Sequence, residues 1–160
     1  MPASLSESID MKRSAGILPF RKRPKGTEVY LVHMGGPYWR RKKRSWSVVK
    51  GEVEEGEEPL ETAKREFHEE TGQAIEGRFL PLGEVRTSNK RIVVWAVEAD
   101  PSTDIVSNTF TIEWPPKSGK IQTFPEVDRA AWFGLEEAKE KIVASQVPLL
   151  ERLDELLKRD

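Results

Sequence analysis

The stretch from Gly51 to Gly72, GEVEEGEEPLETAKREFHEETG, packs nine glutamates into twenty-two residues and still reads as a helix. Pro59 suits a first helical turn, Leu60, Ala63 and Phe67 recur at helical spacing, and Gly72 stops the run in a C-cap role. With 3.6 residues per turn, Glu66, Glu69 and Glu70 stand at i, i+3 and i+4, so three carboxylates share one face beside the apolar stripe. Like charges repel more strongly near a core boundary, so this face calls for a compensating positive charge. Hard divalent cations with oxygen ligands, Mg²⁺ or Mn²⁺, supply it when bound by carboxylates and can bridge phosphate oxygens. Arg65 and Glu57 fit beside such a site, the guanidinium forking onto a carboxylate and fixing its orientation. The same spacing also occurs on solvated acidic helix faces, so spacing alone leaves both readings open.

Over the whole chain charge is balanced. Twenty-six Lys and Arg offset twenty-seven Asp and Glu for a net charge of -1, which gives no global argument for DNA or for an acidic partner. The absence of cysteine excludes disulfides and thiol chemistry and fits a reducing compartment, the cytoplasm being the expectation. No segment approaches the ~20 apolar residues of a membrane span. At 160 residues the chain suits a single domain, set at 12–160, with 1–11 reading as a disordered leader or an overlong start before Met11.

Ser14–Arg21 and Glu28–Gly35 read as paired strands around the turn at Arg23–Gly26, and WSVV at Trp46–Val49 as a short apolar run. Between them Arg40, Arg41, Lys42, Lys43 and Arg44 form a basic loop that can reach phosphates or simply stay solvated. A second strand pair follows at Arg78–Thr87 and Lys90–Asp100. The connection from Asp100 to Asp128 is long and holds one extended piece, Thr109–Trp114, and a second basic loop with Lys117 and Lys120. Arg129–Gly134 reads as a strand, a helix starts near Leu135, and the chain closes on an amphipathic helix carrying Leu149, Leu150, Leu153, Leu156 and Leu157. Tyr38, Trp39, Trp46, Trp114 and Phe124 lie in or beside loops, where a purine needs a flat face, whereas Trp95 and Trp132 inside strands belong to the core. His33 and His68 are poor candidates for chemistry, and no zinc site can be built from them.

The wider pattern, Gly51, Glu57, then Arg65-Glu66-Phe67-His68-Glu69-Glu70-Thr71-Gly72, resembles the box of the Nudix family, G-x5-E-x7-R-E-U-x-E-E-x-G-U with U bulky and apolar. Every polar and glycine position is matched, and Gln73 departs where the family places an apolar residue. WSVVKG is similar to the family's W-x-x-P-K-G lead-in with Val49 in place of proline, SAGILPFR to its first core strand, and EVDRAAWFGLEEA to its closing strand and helix. The resemblance implies an α+β fold, an α/β/α sandwich around a mixed β-sheet.

It further implies hydrolysis of a nucleoside diphosphate linked to another group, with Mg²⁺ or Mn²⁺ as cofactor. Glu66, Glu69, Glu70, Glu57 and the carbonyl of Gly51 or Lys50 would hold the metal, and Arg65 would orient them. The general base would be Glu66 or Glu126, the latter six residues before Trp132 as in diadenosine tetraphosphate hydrolases. Tyr38, Arg40, Arg44, Lys50 and Lys117 are the expected substrate contacts. A dinucleoside polyphosphate is the favoured substrate, a nucleoside triphosphate the alternative, and a non-catalytic nucleotide- or RNA-binding module the rival. The expected state is a monomer or homodimer with no DNA or membrane partner.

Overall fold

The computed structural model describes residues 12–159, so the expected leader at 1–11 lies outside the described residues. Strand β1 (Lys12–Arg23) organises the rest. Its C-terminal half pairs antiparallel with β2 (Gly26–Met34) through the tight turn from Arg23 to Gly26, and its N-terminal half pairs antiparallel with β4 (Val49–Glu52). On its other edge β6 (Lys90–Glu98) runs parallel, from Lys12 opposite Lys90 to Phe20 opposite Glu98. The short β3 (Trp46–Ser47) and then β9 (Val127–Gly134) pair with β2, and β5 (Phe79–Arg86) pairs with β6, giving a seven-stranded mixed sheet.

Period-two alternation along these strands builds two cores. Ala15, Ile17, Tyr30, Val32, Val49 and Val97 join Ala63 and Phe67 of helix α1 (Pro59–Thr71). Leu18, Phe20, Val29, Leu31, Val94 and Ala96 join α2 (Leu135–Lys141) and α3 (Val147–Lys158) on the opposite face. Helix, sheet and helix pair are therefore stacked as the sequence resemblance implied. Helix α1 covers the predicted span, and its cap Gly72 takes the left-handed conformation at φ 78°, its N–H donating to the His68 carbonyl.

Three readings change. Trp46–Val49 is two strands rather than one run, because at Val48 the chain passes from β2 to β1 as pairing partner. The buried amide of Gln146 holds that crossing: its Oε1 accepts from the Val48 N–H at 3.0 Å, and its Nε2 donates to the Ser47 hydroxyl at 3.0 Å. The long connection holds two strands rather than one extended piece, since Thr109–Glu113 (β7) pairs with Ile121–Pro125 (β8) in a separate hairpin. Among the tryptophans, Trp46 is buried against Phe133 and His33, whereas Trp95 and Trp132 are half-buried and Arg21 stacks 4.1 Å over the Trp132 ring.

The departure at Gln73 has a local explanation. Its side-chain amide clasps the backbone of Ser102 from both sides, donating to the carbonyl at 2.9 Å and accepting from the N–H at 2.8 Å. The Tyr30 hydroxyl donates to the same carbonyl at 2.7 Å. A polar side chain here trades apolar packing for a clamp on the loop after β6.

Replacing Gln146 by leucine leaves the buried Val48 N–H without its acceptor and the Ser47 hydroxyl with only its bond to the Val48 carbonyl. Urea denaturation of Gln146→Leu should show a loss of about 1–3 kcal/mol with an unchanged slope.

Candidate active site

The glutamates in and just before α1 divide around Arg65. Its ε-nitrogen and one terminal nitrogen fork onto both oxygens of Glu57 at 2.7 and 3.0 Å, and the other terminal nitrogen donates to Glu69 at 2.9 Å and to Glu66 at 3.3 Å. That fork pulls the Glu57 carboxyl down to about 2, the Arg65 hydrogen bonds being the main cause. Glu66 and Glu70 line a cavity of about 280 Å³ between α1, β4 and the residue preceding β9. Burial and then the neighbouring charge of Glu69 raise Glu66 to about 7; burial and then the charge of Glu66 raise Glu70 to about 9. Burial pushes the facing Lys50 ammonium down.

Gly51 belongs to this geometry. A Cβ there would collide with the Glu66 side chain, so only glycine lets that carboxylate lie against β4. Glu126 lines the same cavity, and its place is set by main-chain hydrogen bonds. The Asn108 N–H donates to the Glu69 carbonyl, the Glu126 N–H to the Asn108 carbonyl, and the Gly35 N–H to the Glu126 carbonyl, each at 2.9 Å. The Ser107 hydroxyl accepts from the next amide, Val127, at 3.2 Å and donates to the Asn108 carbonyl at 2.8 Å. A path of amides thus links the acidic helix to Glu126 across residues far apart in sequence.

Of the expected site residues, Lys50, Gly51, Glu66, Glu70 and Glu126 converge on this one cavity. Glu57 and Glu69 stand on Arg65 beside it. Sequence reasoning missed Lys12, Lys90 and Asn108, which also line it. The two lysines face each other only because β1 and β6 pair in parallel, a register no spacing rule reveals.

A second cavity of about 150 Å³ shares the Lys50, Glu70 and Glu126 wall and is closed by Trp39, Phe110, Met34 and Val32. A third, of about 540 Å³, holds Tyr38 and Arg40 together with Trp114. Two expected substrate contacts fall elsewhere. The Arg44 guanidinium donates to the carbonyls of Lys139 and Ile142 at 2.8 and 2.9 Å, closing the C-terminal end of α2. Lys117 sits exposed at the hairpin tip, its backbone N–H tied to Glu113, and lines none of these cavities.

Among the described residues no three acidic or imidazole groups stand at ion-enclosing spacing. The donor set nonetheless suits a hard cation: it is all oxygen, and burial raises the proton affinity of Glu66 and Glu70, which a bound divalent ion would offset.

Residues 10–153 match the NUDIX domain family, and the chain belongs to it. With every polar box position present, it is a hydrolase of that class, acting on pyrophosphate-containing substrates. The fold is similar to that of a Caenorhabditis elegans Ap4A hydrolase solved as a binary complex, at 20% identity and a TM-score of 0.66, over 94% of this chain and 100% of that one. A MutT protein from Methanosarcina mazei Go1 is similar at 19% identity and a TM-score of 0.60, over 94% and 99% of the two chains. The NUDIX domain of Shewanella oneidensis NrtR, complexed with ADP ribose, is similar at 16% identity and a TM-score of 0.63, over 92% and 88%. No curated protein matches the sequence at significant similarity.

Because Glu66 and Glu70 bind protons more tightly folded than unfolded, their contribution to stability is complete below an ordinary glutamate value near 4.5. It is withdrawn as pH rises through about 7 and about 9. In chelator, the melting temperature should fall from about pH 5 to about pH 9, and Glu70→Gln should flatten that decline. An equal decline in the variant would contradict the assignment.

Proposed function

We propose that the chain hydrolyses a pyrophosphate bond of a dinucleoside polyphosphate such as diadenosine tetraphosphate, working with Mg²⁺ or Mn²⁺ in the cytoplasm as a monomer or homodimer, without a DNA partner. The observation that carries this reading is the shared wall of Lys50, Glu70 and Glu126, which lines the carboxylate cavity on one side and the aromatic cavity of Trp39 and Phe110 on the other. A base against those rings leaves its phosphates at the carboxylates. The similarity to an Ap4A hydrolase supports the same choice, and the place of Glu126 suits the base that such a reaction needs.

Glu66, Glu69 and Glu70, with Glu57 and the Gly51 carbonyl, would hold the metal. A hard divalent cation bound there supplies charge neutralisation for the pyrophosphate. The chain's own groups do the rest. Glu126 takes the proton of the attacking water, whose oxygen bonds to phosphorus while the bridging P–O bond breaks and its electron pair leaves with the departing phosphate. Lys50, Lys12 and Lys90 face the phosphate oxygens, and Arg65 keeps Glu57 and Glu69 from drifting.

Incubation with a nucleotide panel and Mg²⁺ tests this. Diadenosine tetraphosphate should be cleaved with a higher kcat/KM than any nucleoside triphosphate; the reverse order favours the triphosphate alternative. Cleavage of none removes catalysis and leaves a nucleotide-binding module. Glu126→Gln should lower kcat by roughly 100-fold or more. Its melting temperature should barely move, since main-chain bonds hold that residue.

A further inference from the structure

The cavity of about 540 Å³ takes no part in the chemistry above. Its lining is Pro37, Tyr38, Arg40, Arg41, Lys42 and Trp114. The volume falls within the roughly 300–1,000 Å³ of small-molecule sites.

Both walls are held. The basic loop is tied at one end by the Gly35 N–H to Glu126 and at the other by Arg44 on the end of α2. Within it the Lys42 N–H donates to the Trp39 carbonyl at 3.2 Å. Opposite, Trp114 directly follows strand β7, its N–H donating to the Lys120 carbonyl at 2.8 Å and its own carbonyl accepting from the Gln122 amide at 2.6 Å. The hairpin bearing Trp114 rests on the loop, since Gly36 lies so close to the Phe110 ring that a Cβ would come within 2.8 Å of it.

Tyr38 is 60% exposed, and the Lys42 ammonium lies 4.0 Å over its centre. Flat ring surface beside three cations selects a ligand that is aromatic and anionic together. An acidic peptide or inorganic phosphate would use the charges and leave the rings idle. The Tyr38 ring meets Trp39 edge-on at 5.1 Å, and Trp39 lines the cavity next to Lys50 and Glu126. One aromatic pair therefore separates this cavity from the one beside the reaction centre.

We propose that this cavity is a second nucleoside-phosphate site, taking the far nucleoside of a dinucleoside polyphosphate, its base against Tyr38 or Trp114 and its phosphate on Arg40, Arg41 and Lys42. The assignment of the ligand as half of a dinucleotide rests on the function proposed above. A free mononucleotide carries the same chemistry and is the competing source.

Two variants test it, Tyr38→Ala/Trp114→Ala and Arg40→Gln/Arg41→Gln, the second altering only exposed side chains so that folding is kept. Calorimetric titration with AMP in chelator should show affinity at least about fivefold weaker in both. In Mg²⁺, the ratio of kcat/KM for diadenosine tetraphosphate to that for ATP should fall by at least about fivefold in both. Unchanged AMP affinity in both variants overturns the site. Weakened AMP affinity with an unchanged ratio overturns the substrate assignment and leaves a mononucleotide site. Should the wild type cleave neither nucleotide, the reaction-site reading fails, and the AMP titration still decides for or against the second site.

Discussion

The guanidinium of Arg65 governs how this protein tolerates its own acidity. One cation satisfies both oxygens of Glu57 and reaches Glu69, and the carboxylates it serves are relieved of repulsion. Glu66 receives only its longest bond, and Glu70 none, and these two are buried on the cavity side. Glu57 is held down chiefly by its Arg65 hydrogen bonds, whereas Glu66 and Glu70 are raised chiefly by burial and then by neighbouring negative charge. Glu66 and Glu70 are thereby gathered at a single cavity, where lysines from three different strands surround them.

That gathering depends on the sheet. β1 is shared by β2, β4 and β6, so it brings Lys12, Lys50 and Gly51 of β4, and Lys90 to one end of the sheet. Helix α1 packs Ala63 and Phe67 on the face beneath, which fixes the direction in which Glu66 and Glu70 project. The same core that stabilises the helix therefore aims its chemistry.

Much of this was legible in the sequence. Helix α1 could be read from cap to cap because Pro59, the apolar stripe and Gly72 agree with one another. Most strands of the sheet showed because their runs are apolar and bounded by turn residues, whereas β4 was hidden because Val49–Glu52 holds a single apolar side chain. β8 was missed because Ile121–Pro125 is mostly exposed and carries no buried face to impose a pattern. Lys12 and Lys90 escaped because the parallel register of β1 and β6 joins residues that local patterns treat independently. Arg44 illustrates a different blindness: a run of five basic residues looks uniform, and only the fold shows which one is committed to helix carbonyls.

The amide path from Glu69 through Asn108 to Glu126 and Gly35 has a separate implication. It uses no side chain of residue 126, so the scaffold specifies a location and leaves the chemical group there open. A lineage built on such a scaffold can exchange the functional group at that spot without rebuilding its surroundings, which makes it a natural point for one architecture to branch into different reactivities.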